Sequence, residues 1–254
     1  MQVVKRRTFS GVVCEQEIYR IAGKAPYKLT TEPRLRFKNE EERERHKEEI
    51  SRRNHALLFN ENFSTSSLYG TLTFDDENEV YTFSEARWIR DNYIRRLKYK
   101  YPDAVIFIYM GRGKSTHRIH FHIVCEGVPS DYLIKQWRYG SVVRVEHLRE
   151  HNYYNGIDHG QDYSGLANYL FNHWTKEQGG HRWRMTRNAK KPLREEFKPV
   201  QRRYSESRPP RAPKGYKLVE TKSTAYGYLY FKYVKEPPKD SRGRGRKTAE
   251  IRSV

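Results

Sequence analysis

With 254 residues the chain can bury a substantial core, and its 50 Lys and Arg against 31 Asp and Glu leave a formal charge of +19. A pI near 9.8 sets it apart from a neutral cytosolic enzyme and points to a polyanion as partner, nucleic acid or an anionic surface. A mean hydropathy of −1.02 and the lack of any apolar run long enough to span a bilayer argue against the membrane, while Cys14 and Cys125 alone exclude a disulfide framework or a Cys-ligated zinc site.

The expectation is therefore a soluble cytoplasmic protein in which any metal is held by His, carboxylates or water. Residues 1–36 are basic with scattered Gly and Pro and show no clear period, so they read as an arm. From Asn39 to Leu58, EEERERHKEEI mixes charges at i, i+4 spacing over a thin apolar stripe of Ile50, Leu57 and Leu58. That pattern suits a solvated helix docking by its C-terminal end, and residues 1–63 are grouped as an N-terminal arm with a charged helix.

Residues 66–74 alternate, with Leu68, Leu72 and Phe74 on one face and Tyr69, Thr71 and Thr73 on the other, and end at the turn signal Asp75-Asp76. Thr82 and Glu85 have capping-box spacing, and Ala86, Ile89, Tyr93 and Leu97 recur at helical intervals until Pro102. Residues 104–110 form an apolar run of strand length, followed by GRGKST and a second alternating stretch, so the two strands are expected to form an antiparallel hairpin. GRGKS is not a Walker A motif, because the required first glycine would fall on Ile108. A built-in helicase is therefore not expected, and Arg112 and Lys114 are read as a basic turn able to touch phosphate, with simple loop chemistry as the alternative.

A short helix is expected from Pro129 to Trp137, a strand from Gly140 to His147, and a polar connection from Arg149 to Gln161. Asp162 or Ser164 then caps a helix, SGLANYLFNHWTKE, that stops at Gly179-Gly180, and a last strand lies near 182–186. The order strand, helix, strand, strand, helix, strand, helix is the split βαβ pattern on an antiparallel sheet, an α+β domain placed at 64–195. Residues 196–236 form a C-terminal extension with the strand-like AYGYLYFKYV, and the Arg-, Gly- and Lys-rich tail 237–254 reads as disordered and phosphate-seeking.

The second strand of the hairpin contains the most informative residues. Arg118, His120, His122 and Val124 share one face, and Ile119, Phe121 and Ile123 the other. Same-face neighbours on a strand are about 6.5 to 7 Å apart at Cα, so the two imidazoles can converge on one metal ion. The alternative is a pair of half-buried histidines satisfied by backbone or water. On the later helix Tyr169, His173 and Lys176 fall along one face, with Asn172 beside them and Leu166, Leu170 and Trp174 on a stripe suited to the core. An amphipathic helix could carry these types by chance. Together with the His pair and the charge, they also suit phosphodiester transfer, because a nearby ammonium and a metal-polarised phosphate both lower the barrier to attack by a phenol.

IHFHIV resembles the metal motif of the HUH endonucleases, LYGTLTF resembles their first strand motif, and NYLFNHWTK followed by RWRMTRNAKKP resembles their tyrosine helix and the segment after it. The nearest group is the phage-type rolling-circle replication initiators, matched over about 64–195. The resemblance implies an RRM- or ferredoxin-like sheet of about five strands with helices on one face. It further implies an enzyme that nicks single-stranded origin DNA with Mn²⁺ or Mg²⁺, keeps the 5′ phosphate on tyrosine and relies on a host helicase and polymerase. His120 and His122 match the metal ligands and Tyr169 the nucleophile. Lys176 corresponds to the helix lysine with altered spacing, and His173 falls where some relatives have a second tyrosine. The glutamate many relatives supply on the preceding strand is missing, Met110 being at about that place, which leaves His117, Asp75, Asp76, His159 and His173 as candidates for the third ligand. Arg112, Lys114, Arg118, Arg182, Arg184 and Arg187 are the expected DNA contacts. A relaxase, a single-tyrosine transposase or a non-catalytic RRM-like binding protein are the alternative readings.

Overall fold

The computed structural model describes residues 2–21, 35–113, 117–173 and 183–236. In chain order the elements are β1 (Gln2–Ser10), β2 (Val13–Ile21), α1 (Glu40–Asn62), β3 (Leu68–Thr73), α2 (Phe83–Lys100), β4 (Val105–Arg112), β5 (Ile119–Glu126), α3 (Ser130–Gln136) and β6 (Val142–His147). They continue with the small hairpin β7 (Tyr153–Tyr154) and β8 (Ile157–Asp158), then α4 (Ser164–Asn172), β9 (Trp183–Met185), β10 (Leu193–Arg194), β11 (Lys198–Val200), β12 (Tyr216–Ser223) and β13 (Tyr228–Lys235). The fold is α+β, and its ladders are antiparallel.

The expected middle elements pair into a five-stranded sheet in the order β6-β3-β5-β4-β9. One face of this sheet buries Leu72, Ile106, Ile108, Phe121 and Ile123 against α2 and α3, through Ala86, Tyr93, Leu97 and Leu133. Thr82 caps α2 by accepting from the Glu85 amide, as the capping-box spacing implies. The other face buries Phe107, Tyr109 and Val124 against Ala56 and Phe59 of α1 and Ala167 and Leu170 of α4. The expectation of helices on one face is thus corrected: this sheet is covered on both. Each of these large side chains contributes on the order of 1.5–3 kcal/mol by leaving water, which is why β4 is nearly continuously apolar.

The basic N-terminal segment is not an arm. Residues 2–21 form the hairpin β1-β2, and β2 pairs with β13, so the two ends of the chain build one sheet in the order β10-β1-β2-β13-β12, with β11 also paired to β1. Charge hid these strands from a hydrophobic period: Glu15, Glu17 and Lys232 point into a buried layer. That layer is closed by α1, whose Arg53 donates to Glu15 at 2.6 Å and to Glu17 at 3.4 Å and stacks 3.9 Å above the Tyr230 ring. Tyr230 and Tyr228 donate to Glu15 and Glu17 at 2.8 and 3.1 Å, and Arg6 pairs with Glu17 at 2.7 Å. A buried charge is tolerated only when paired and hydrogen-bonded, and this cluster meets that condition. The C-terminal half of helix α1, from Arg53 to Asn60, is buried between the two sheets, while its charged N-terminal half stays largely exposed to solvent, as the charge pattern implies.

Candidate metal centre

Strand β5 is central in its sheet, which fixes its register on both sides. His122 faces Thr71 of β3 and Tyr109 of β4, and His120 faces Thr73 and Gly111. Both imidazoles lie on the face covered by α4, as the alternation predicts. The first turn of α4 is held by Asp162, which accepts from the Ser164 amide at 3.0 Å and hydroxyl at 2.6 Å, and by Asn60 of α1, which accepts from the Tyr163 amide at 2.8 Å. Ala167 and Leu170 bury themselves toward Phe59, and this turns Tyr169 and His173, one helical turn apart, toward the strand histidines.

His120, His122 and His173 come together with their ligand atoms all within 4.8 Å of one another, an arrangement that could hold a metal ion. His120 Nε2 and His173 Nε2 are 2.8 Å apart. Of the five candidates for a third ligand, His173 is the one that joins the pair. His117 sits exposed in the β4–β5 turn at φ +55°, His159 faces Asp162, and Asp75 accepts from Asn78 in the turn after β3. Met110 does not occupy the missing-ligand position, since its side chain belongs to the opposite core; Gly111 is the residue across from His120.

Three observations fit a metal. The His122 Nε2 atom is buried without a hydrogen-bond partner among the described residues, while its Nδ1 lies 2.9 Å from the Tyr69 hydroxyl and 3.1 Å from that of Thr71. With Nδ1–H as donor, the Nε2 lone pair is left for a ligand, the outer-shell arrangement typical of metal-binding histidine. Gly111 supplies the space: a Cβ there would lie 2.3 Å from His173 Cδ2 and 2.9 Å from His120 Nε2. Burial, with the neighbouring His173 and His120 charges adding to it, pushes the His122 pKa down to about 3, and burial also lowers that of His120 against a hydrogen bond that its ring makes to the Arg118 backbone. Metal binding needs neutral imidazole, and this environment provides it at neutral pH.

Tyr169 borders the cluster with its ring centroid 5.9 Å from that of His122 and 5.4 Å from that of His173, and it is half exposed. The competing phenols are placed differently: Tyr163 is buried, and Tyr153 and Tyr154 project from the β7–β8 hairpin. The basic residues scatter. Arg118 precedes the start of β5 and pairs with Asp76 at 2.7 Å and Glu79 at 3.1 Å, Arg112 reaches the Tyr81 carbonyl, and Arg184 lies 3.6 Å from Asp91, all on the α2 side. Arg187 is exposed beyond β9. Lys114, Lys176, Arg182 and the tail lie outside the described residues. Sequence reasoning missed Tyr69, Thr71 and Gly111 as parts of the site; the polar face of the first strand was a signal for the two hydroxyls, but only the pairing register brings them to His122. Among the described residues no helix is long and apolar enough to cross a membrane. Comparison with family models, with curated proteins and with solved structures returns no match, so the geometry of this centre is what bears on function.

Proposed function

We propose that the chain is a metal-dependent single-strand DNA endonuclease and strand transferase of the HUH type, an initiator of rolling-circle replication for a phage, plasmid or mobile element. The observation that carries this reading is Tyr169 one helical turn from His173, its ring bordering a cluster of three imidazoles that two strand positions and one helix end create. The order β6-β3-β5-β4, with α2 and α3 in the crossover connections, supports the RRM-like version of the sheet. The net charge of +19 supports a nucleic-acid partner met in the cytoplasm of a host cell that supplies the helicase and polymerase.

A divalent ion at the three imidazoles would act as a Lewis acid toward a phosphoryl oxygen. An all-imidazole set favours Mn²⁺ over Mg²⁺, which prefers oxygen ligands and keeps its water. The Tyr169 oxygen would attack phosphorus, the bond from phosphorus to the 3′ oxygen would break, and the phenolic proton would leave so that a 3′-OH is released and the 5′ phosphate stays on Tyr169. His120, His122 and His173 would hold the ion, and Lys176, in its matched position, would balance charge.

Purified protein incubated with labelled single-stranded origin DNA and Mn²⁺ should leave a covalent protein–DNA band on a denaturing gel. Tyr169→Phe removes one hydroxyl at a half-exposed position, so it should retain fold and DNA affinity and lose the band. An adduct that survives in this variant, or one that maps to another tyrosine, refutes the assignment. DNA retention with no adduct under any divalent ion favours the non-catalytic binding module instead.

A further inference from the structure

A cavity of about 410 Å³ opens directly beside the phenol of Tyr169. Its volume falls in the range of about 300–1,000 Å³ found for small-ligand sites. Two of its walls already belong to the metal centre, since Tyr69 contacts His122 Nδ1 and Tyr169 borders the imidazoles, so whatever fills the cavity is a covalent neighbour of the group at the metal or lies against it. The rest of the lining combines flat and aliphatic surface, from Tyr163 and Leu166, with the exposed cations Arg144 and Arg149. Arg144 is held by Glu146 at 2.7 Å at the strand edge. Tyr163 carries the second indication of a ligand: its hydroxyl is buried and has no hydrogen-bond partner among the described residues. A buried hydroxyl left unpaired costs on the order of 1–3 kcal/mol, a penalty that a polar ligand edge would remove.

Resting on the DNA-cleavage reading above, we infer that this cavity holds one unpaired nucleotide of the strand being cut, adjacent in the chain to the phosphate at the three imidazoles. Every base has a π-face, and Tyr69 and Tyr169 offer rings to stack on, while Arg149 supplies positive charge for the sugar-phosphate backbone. The Tyr163 hydroxyl would meet a polar edge of the base and make the cavity selective at that one position. A duplex cannot deliver a base into a recess of this size without extruding it, so the cavity favours single-stranded substrate independently of the chemistry at Tyr169.

The test is photocrosslinking of the full chain, in EDTA, to a pool of short random single-stranded oligonucleotides carrying iododeoxyuridine, with crosslinked peptides mapped by mass spectrometry. Crosslinks are expected on Tyr69, Tyr163 or Tyr169, and Leu166→Trp, which fills the cavity, should lower their yield roughly tenfold or more while total DNA retention changes little. Arg149→Glu, at an exposed position where folding is not at stake, should lower the same crosslinks if the filled variant does not fold. Absence of crosslinks at these tyrosines in the wild type, unchanged yield in the variants, or equal competition by duplex DNA overturns the inference. Because EDTA removes metal and no cleavage is required, the two readings fail separately: a wild-type chain that gives these crosslinks yet forms no covalent adduct with Mn²⁺ refutes the nuclease reading and leaves the nucleotide site standing.

Discussion

The ammonium of Lys232 lies 2.6 Å from the Asp162 carboxylate, with both side chains buried, and so ties β13 of the terminal sheet to the start of the helix that carries Tyr169 and His173. Lys232 also donates to Ser164 Oγ at 2.9 Å. Burial opposes ionisation of Asp162, yet the polar contact with His159, the Lys232 charge and the Ser164 hydrogen bond outweigh it and hold the carboxyl well below the usual range. A strand near residue 232 thereby positions a helix that begins at Ser164.

Lys232→Met should leave that carboxylate buried without its counter-charge and cost about 3–5 kcal/mol of stability. Urea denaturation would show it as a lower midpoint at unchanged slope. Combining it with Asp162→Asn should cost less than the two single changes added together, since the unpaired charge is then absent. Additive losses would show that the pair is not coupled.

His173→Ala should weaken Co²⁺ or Mn²⁺ binding by more than about 100-fold, a larger loss than is typical for an outer-shell change, with the far-ultraviolet spectrum unaltered. Calorimetric titration of wild type and variant checks it. Equal affinities would remove His173 from the ligand set and leave only the strand pair.

Gly111→Ala tests the space between the imidazoles. The added methyl would sit 2.3 Å from His173 Cδ2 and 2.6 Å from its Nε2, and both atoms belong to a ring that can rotate away. The expected result is a fold of near-normal stability with metal affinity reduced about 10- to 100-fold. The Co²⁺ absorption bands, which report ligand geometry, should shift.

The metal-free protein should lose stability in acid. His55, in the layer between α1 and the five-stranded sheet, has Nε2 2.7 Å from the Tyr109 hydroxyl and Nδ1 without a partner among the described residues. Burial drives its pKa down to about 3, the same level as His122. The unfolded chain takes up these protons near pH 6.5 and the folded chain does not, so stability is fully present above about 6.5 and falls as pH drops from there toward about 3, by up to about 1.4 kcal/mol per pH unit for each group. His55→Phe should lower the slope measured by denaturation between pH 6 and 4.5, leaving the part that His122 and His120 contribute. An unchanged slope would place the titration elsewhere.

The middle of the chain was legible because its local signals agree with each other: the alternation of 68–74 and 119–124, the Thr82–Glu85 cap and the apolar run before the hairpin each appear as an element of the expected type. Period alone also put His120 and His122 on the face away from Ile119, Phe121 and Ile123, since side-chain direction in a strand is a local property. At the ends, the strand-like AYGYLYFKYV appears as β13, but β1 and β2 were not legible. Their buried layer is built from Glu15, Glu17, Arg53 and Lys232, and a charge becomes a core residue only when its counter-charge arrives from a distant segment, as Glu15 does from β2 to Arg53 of α1 and Lys232 from β13 to Asp162 before α4. The third imidazole was named in the sequence only as one of five candidates. Choosing His173 required the docking of α4 through Ala167 and Leu170, and seeing that Gly111 leaves room for it required the β4–β5 register, because proximity between residues far apart in sequence is set by packing and not by period.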